Sequence, residues 1–157
     1  MLNMGRMGSF NANDLKKFQR ELEKLNKSAD AFLQACAKEL AARLLRLVIK
    51  RTPVGEYPEN SGKKGGTLRR GWTGEEGASA KGYADSLEIQ HNGETYVIEI
   101  INSISYGVYV EYGHRTPDHK GWVPGRFMMT ISERELEKIA PKVLEKKLEK
   151  LLRSVLH

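Results

Sequence analysis

The sequence predicts an α+β fold, with a long N-terminal amphipathic helix and C-terminal helices packed on a small antiparallel β-sheet that contains a hairpin. Three observations support this prediction. Apolar residues recur every three or four positions at both ends of the chain, and Asn92-Gly93 joins two alternating segments in the middle. The length of 157 residues is typical of a single domain, 1–157. Within it we expect helix at 13–51, a Gly-rich loop at 52–83, β-sheet at 84–113, a loop at 114–125 and helix at 126–156.

The first helix ends at Thr52-Pro53, because the residue before a proline disfavours helical backbone angles. As one helix, 13–51 would be about 57 Å long, whereas a compact domain of this size has a diameter of about 40 Å. Two outcomes are open: the helix breaks near Asn26-Lys27-Ser28, or its projecting stripe is buried against another subunit. The apolar stripe consists of Leu15, Phe18, Leu22, Leu25, Ala29, Phe32, Cys36, Leu40, Leu44 and Leu47.

The segment 52–83 contains eight Gly and two Pro and has little apolar periodicity. This composition predicts a long mobile loop, anchored at Leu68 and Trp72, that becomes ordered on assembly. Four cations and one aromatic residue within the loop could contact phosphates and stack on bases, or face a protein partner. These candidate DNA-facing or partner-facing residues are Lys63, Lys64, Arg69, Arg70 and Trp72.

The β-sheet begins with a predicted hairpin, in which segments 86–91 and 95–102 flank the type I′ turn dipeptide Asn92-Gly93. The second strand is apolar on nearly both faces, which predicts a central position or a covered outer face. The sequence YGVYVEYGHR at 106–115 fits either a third strand or a short helical turn. We expect Val108 and Val110 in the core.

The C-terminal segment carries a second apolar stripe at helical spacing, and Pro141 fits the first turn of a new helix, so we expect a bend there. The stripe includes Ile131, Ile139, Leu144, Leu148, Leu151 and Val155.

The charge is unevenly distributed along the chain. The net charge of +6 divides into +6 for 1–51, +1 for 52–83, −4 for 84–125 and +3 for 126–157. Basic ends and an acidic middle are typical of a polyanion-binding protein, and equally of a subunit whose basic end meets the acidic middle of another copy. Composition excludes a disulfide-held scaffold, because there is one Cys, and a membrane-spanning helix, because apolar runs fall far short of about 18 residues.

Residues that could carry chemistry are few. His114, Asp118 and His119 could contact a metal, but no helix aligns them and no CxxC or HExxH motif completes a ligand set. Cys36 lies on the apolar stripe, which predicts packing rather than nucleophilic chemistry. We therefore predict no catalytic residue, no metal and no cofactor. The alternative function is a small basic DNA-binding protein or a metal-dependent nuclease that uses this histidine loop or the basic cluster.

Three segments together carry a family resemblance. Thr52-Pro53-Val54 leads to Thr67-Leu68-Arg69-Arg70-Gly71-Trp72, Tyr-Val-Glu-Tyr-Gly follows at 109–113, and Val123-Pro124-Gly125-Arg126-Phe127-Met128 opens the last helix. Over residues 30–155 the sequence resembles the tail-component family of long-tailed bacteriophages and prophages, the tail-completion proteins at the neck between head and tail. The chain departs from the family at 125–128, where a Pro-rich turn followed by Phe-Leu is common, and in a longer tract between Val54 and Thr67.

The resemblance implies a non-enzymatic virion protein that is made in the host cytoplasm and joins the tail or neck. It implies a ring of copies, with six-fold symmetry as one arrangement, that contacts connector, tail-terminator or tail-tube proteins. DNA in the channel would be a nonspecific neighbour, and no membrane is involved. The candidate interface residues are Tyr106, Tyr109, Glu111, Tyr112, Gly113, Arg126 and Phe127.

Overall fold

One continuous helix, α1 (Ala12–Arg51), is the longest element of the molecule. The computed structural model describes residues 12–74 and 78–155. No Gly or Pro interrupts the 40 residues of α1, so the helix does not break near Ser28 and extends for about 60 Å. It ends as predicted at Thr52, which donates its backbone N–H to the carbonyl of Val48 at 2.9 Å. Of the two outcomes left open by the sequence, the break near Ser28 is thus wrong, and burial of the projecting stripe against another subunit stays a prediction.

The core lies on the C-terminal half of α1, where Leu45 and Val48 are fully buried. From Leu15 to Ala29 the helix is exposed at every position. The core therefore uses only one half of α1, and the other half extends beyond it. The buried core residues are Ala41, Ala42, Leu45, Val48, Leu68, Trp72, Ala84 and Met128.

The segment predicted as a loop at 52–83 contains more regular structure than expected. A 3₁₀ turn spans Glu59–Ser61, α2 spans Thr67–Arg70, and the last residues of the segment begin α3 (Ala80–Ser86). Elements this short show no apolar period, so no pattern in their residues predicts them. The prediction of a loop without structure is wrong for these stretches.

A two-stranded antiparallel hairpin follows, formed by β1 (Gln90–Asn92) and β2 (Thr95–Val97). Its turn consists of Gly93, at φ 62°, and Glu94, one position later than predicted. Within the described residues β2 pairs with β1 alone, so the central position predicted for this strand is wrong. After β2, Ile98 and Ile100 pack against the core, whereas Ile101 is exposed.

The motif YGVYVEYG forms a helix, α4 (Gly107–Tyr112), rather than a strand. This helix leaves Val108 63% exposed, so its predicted place in the core is wrong, whereas Val110 packs partly buried against the core. Over six residues the periods of strand and helix cannot be told apart, and the sequence left both open.

The loop predicted at 114–125 is a second hairpin, in which β3 (Gly113–Arg115) pairs with β4 (Trp122–Pro124). Helix α5 (Met128–Val155) then continues through Pro141, so the new helix predicted at that residue is not observed. The last residue of the predicted segment 126–156 lies outside the described residues. A long helix, C-terminal helix and small antiparallel sheets confirm the α+β prediction. No helix in the described ranges could cross a membrane by its length and hydropathy.

Candidate functional site

The predicted interface motif is built around a buried carboxylate at the start of α5. Glu111, 7% exposed, accepts hydrogen bonds from the backbone N–H groups of Met129 and Thr130, both at 3.0 Å, and from the Thr130 hydroxyl at 2.8 Å. The first N–H groups of a helix have no partner within the helix, and the helix dipole favours a negative charge beside them. Glu111 therefore joins α4 to α5 from inside the molecule.

Backbone contacts tighten the same joint. Arg126 and Phe127 donate their N–H groups to the carbonyls of the last residues of α4 at 2.7 and 3.0 Å. Gly113 has φ 89°, and a Cβ there or at Gly125 would collide with neighbouring backbone. Phe127 itself has φ 49°, a conformation that a bulky residue rarely adopts. The chain thus passes from α4 to α5 in a closely fixed arrangement.

An aromatic surface lies on the outside of this joint. Tyr106, Tyr109, Tyr112 and Phe127 are all exposed, and we call them the α4 aromatic surface. The rings of Tyr112 and Phe127 meet edge to face, with 6.3 Å between centroids. Arg126 is exposed next to them in the chain. Aromatic residues and Arg are enriched at protein interfaces, so five of the seven candidate interface residues offer a suitable surface.

Two residues of the predicted basic cluster face inward and hold the end of α1. Trp72, 5% exposed, donates its indole N–H to the Thr52 hydroxyl at 2.7 Å. That hydroxyl donates in turn to the carbonyl of Val48 at 2.6 Å. The guanidinium of Arg69 donates to the Thr52 carbonyl at 2.7 and 3.2 Å. The DNA-facing or partner-facing position predicted for Trp72 is thus wrong, whereas its predicted role as an anchor of the segment is confirmed.

The other three residues of the cluster lie nearer to solvent. Arg70 donates to the carbonyl of Gly65 at 3.2 Å and is half-buried. Lys63 and Lys64 are exposed, and the Lys63 ammonium lies 5.8 Å from the centroid of the Tyr57 ring. Of the five predicted residues, Lys63 and Lys64 present their charges most openly.

The first half of α1 presents an apolar face that the described part of the chain leaves uncovered. Leu15, Phe18, Leu22 and Leu25, which we call the α1 apolar face, are 54%, 57%, 49% and 49% exposed. Their spacing of three or four residues places them on one side of the helix. Scattered exposed apolar residues are ordinary, but a continuous row is typical of a surface that is buried on association.

The histidine loop forms the turn of the second hairpin. Asp118 accepts hydrogen bonds from the Thr116 hydroxyl and the Lys120 N–H, and these lower the pKa of its carboxyl group. His119 is exposed and has φ 57°. In the described ranges, no group of three His, Cys, Asp or Glu could hold a metal ion.

Cys36 packs into the α1 stripe at 6% exposure, as predicted. Burial raises the pKa of its thiol, so the protonated form dominates at neutral pH. A protonated, buried thiol is a poor nucleophile, and the packing role predicted for Cys36 is confirmed.

The sequence analysis missed a row of lysines on α5. Lys142, Lys146 and Lys150 recur every fourth residue, and this spacing was the signal that could have revealed them. They line a groove of about 350 Å³ between α1 and α5, which we call the α5 cationic groove. Its other lining residues are Glu39, Arg43, Val143 and Lys147. The capping role of Glu111 had no comparable signal.

A projecting helix, an aromatic surface and a cationic groove on an α+β scaffold describe a protein with extensive surface for association. Residues 16–113 match the model of a family described as "Bacteriophage HK97-gp10, putative tail-component". The match covers more than half of the chain, and the chain belongs to this family of phage tail components. The resemblance found in the sequence is thereby confirmed. Searches of curated proteins and of solved structures find no significant match to this chain.

Proposed function

We propose that the chain completes the phage tail at the neck and joins it to the head, acting by protein–protein assembly without catalysis. The observation that carries the proposal is the α1 apolar face, on which four large side chains remain about half exposed. Membership in a tail-component family supports it. The chain would be made in the host cytoplasm and act in the virion.

The α1 apolar face offers enough free energy to contribute to a stable contact. Full burial of a Leu or Phe side chain contributes about 1.5–3 kcal/mol, so burying the exposed half of each contributes about 1 kcal/mol. Four such side chains supply about 4 kcal/mol per copy, before the cost of association. Because few internal contacts use this half of α1, that gain is available only when a partner covers it.

The partners follow from this proposal. Copies of the chain would form a ring, six-fold in one arrangement, that meets connector, tail-terminator or tail-tube proteins through the α4 aromatic surface; Gly113 is buried behind this surface in the α4–α5 joint. A closed ring needs two different contact surfaces on each subunit, and the molecule carries several. Lys63 and Lys64 are exposed and would contact DNA nonspecifically in the channel. Arg69 and Trp72 are engaged inside the fold, so the DNA-binding or nuclease alternative gains no support from them.

The test uses a phage that lacks this gene and is complemented by variants of the full chain. Phe18→Ser with Leu22→Ser should leave separate heads and tails and reduce infectious titre by at least about tenfold. Electron microscopy of the lysate counts joined particles. The matched control, Lys17→Ser with Lys24→Ser, alters exposed polar positions of the same helix segment and should support joining.

Folding and joining can be separated in this experiment. The substituted side chains lie outside the core, so the free energy of unfolding should change by less than about 0.5 kcal/mol. Circular dichroism of the purified variants checks this. Joined, infectious particles at the wild-type level in the Phe18 and Leu22 variant would refute the proposal.

A further inference from the structure

We infer that the α5 cationic groove is the docking site for the β1–β2 hairpin of a second copy of this chain. The inference rests on the proposed function in one respect, namely that the chain is an assembling subunit. It goes further by naming the two surfaces through which copies meet.

The groove carries positive charge that the fold leaves unmatched. Lys142, Lys146 and Lys150 are exposed and lie about 6 Å apart along the axis of α5. Of the ion pairs among the described residues, none involves these lysines. Arg43, by contrast, is paired with Glu39 at 2.9 Å. The groove therefore offers a row of cations to a partner of opposite charge.

The hairpin carries the complementary charge. The sequence from 82 to 114 contains no Lys or Arg. Glu88, Glu94 and Glu99 are exposed there, whereas Asp85 is paired with Lys81 at 2.7 Å. The hairpin region therefore presents three carboxylates without an ion-pair partner in the described part of the chain. The two surfaces have opposite charge and similar numbers of charged groups.

The two surfaces lie on opposite sides of α1 and cannot meet within one molecule. Asp30 of α1 accepts a hydrogen bond from Tyr96 of the hairpin, and Glu39 of α1 lines the groove. Nine residues at about 100° each separate these positions by about 180° around the helix. A contact between two different surfaces on opposite sides repeats from one copy to the next, so it builds a ring or a filament.

Apolar neighbours favour a protein segment over duplex DNA as the occupant. Phe32 and Leu151 line a second hollow that shares Lys147 and Lys150 with the groove region. Val97 and Ile101 are exposed next to the acidic residues of the hairpin region, at 40% and 59%. Apolar contacts surrounded by charges are the usual anatomy of a protein interface, and a phosphate backbone has no apolar counterpart to offer.

The experiment measures self-association of the full-length chain by sedimentation equilibrium at low salt. Lys142→Glu with Lys146→Glu, and separately Glu94→Lys with Glu99→Lys, should each raise the dissociation constant at least about tenfold. An equimolar mixture of the two variants should associate again, because each reversed groove then meets a reversed hairpin. The control Lys63→Glu with Lys64→Glu makes the same change in net charge outside the groove and should associate like wild type.

Three results would overturn the inference. These are absence of self-association in the wild-type chain at millimolar concentration, failure of the mixture to restore association, and a lysine variant that loses duplex DNA binding while its association stays intact. The last result would assign the groove to DNA. The test is independent of head–tail joining, since the α1 apolar face is unchanged in every variant, so the proposed function and this inference can fail separately.

Discussion

Glu111 lies in the interior with its carboxylate against two backbone N–H groups of α5. Replacing Glu111 with Ala leaves these donors without a partner and removes the favourable charge at the helix end. We expect the free energy of unfolding to fall by about 2–3 kcal/mol. Urea denaturation followed by circular dichroism measures the loss. Glu88→Ala, at an exposed position, should cost less than about 0.5 kcal/mol, and equal effects of the two substitutions would contradict the capping role.

The hydrogen bond between Trp72 and Thr52 gives a second prediction at the scale of single residues. Thr52→Val preserves the side-chain shape but leaves the buried indole N–H unpaired, at a cost of about 1–3 kcal/mol. Trp72→Phe removes that donor and also core volume. In a double-mutant cycle the two substitutions should cost less together than the sum of their separate costs. Additive costs would show that the bond contributes no coupling.

The thiol of Cys36 should react slowly with a disulfide reagent in the folded chain and quickly in urea. Burial raises its pKa, so the reactive thiolate is scarce at neutral pH. Because the pKa is higher in the folded state, the protonated thiol contributes in full to the free energy of unfolding below the ordinary thiol pKa. This contribution is lost as the pH rises through the folded-state pKa. The rates at which the native chain reacts between pH 7 and 10 check that the thiol pKa is raised. Equal rates in folded and unfolded chains would contradict the burial.

At the scale of elements, the two halves of α1 should differ in stability. Residues 15–29 make few contacts outside their own helix, whereas 41–48 pack in the core. Isolated helical segments are marginal in water, so amides of the first half should open with a smaller free energy than those of the second. Hydrogen exchange measured on the dissociated chain tests this. Uniform protection along α1 would show that something covers its first half.

Elements with long, regular patterns were the ones that the sequence could predict. The end of α1 at Thr52-Pro53 and the apolar period before it follow from local physics. The helix α4 could not be predicted from local physics, because six residues rich in Tyr and Val suit strand and helix equally. Tertiary contacts decide between the two. The second hairpin has strands of three residues, too short for any alternation to show.

Candidate surface residues were predictable where exposure follows from helical spacing, as for Leu15 and Phe18 on the α1 apolar face. The exposure of a residue was harder to predict where its side chain suits both the core and the surface. Trp72 carries an apolar body with a single donor, and its burial depends on the Thr52 hydroxyl twenty residues earlier. Nothing in the sequence around Glu111 shows that its carboxylate binds backbone N–H groups of α5, which come 18 and 19 residues later in the chain.

For the whole molecule, the projecting helix predicts an elongated shape. A compact chain of this length has a radius of gyration of about 15 Å. A straight α1 of about 60 Å should raise this by several ångströms in the dissociated chain. Small-angle X-ray scattering at a salt concentration that separates copies measures the radius. A value close to that of a compact chain would show that the first half of α1 does not project.

The cap formed by Glu111 also fixes the direction in which α5 leaves the α4–α5 joint. Helix α5 is 28 residues long; the cap holds its first turn, and further along it packs against α1, where Arg51 pairs with Glu135. If a substitution tilts α5 at the cap, the displacement grows along the length of the helix. A tilt of about 10° displaces a residue twenty-two positions further on, such as Lys150, by about 6 Å. This displacement equals the spacing between successive lysines of the groove. Substitutions at the α4–α5 joint that tilt α5 should therefore displace the lysines of the groove, which lie far from the substituted residues, and weaken the docking inferred for the hairpin of a second copy.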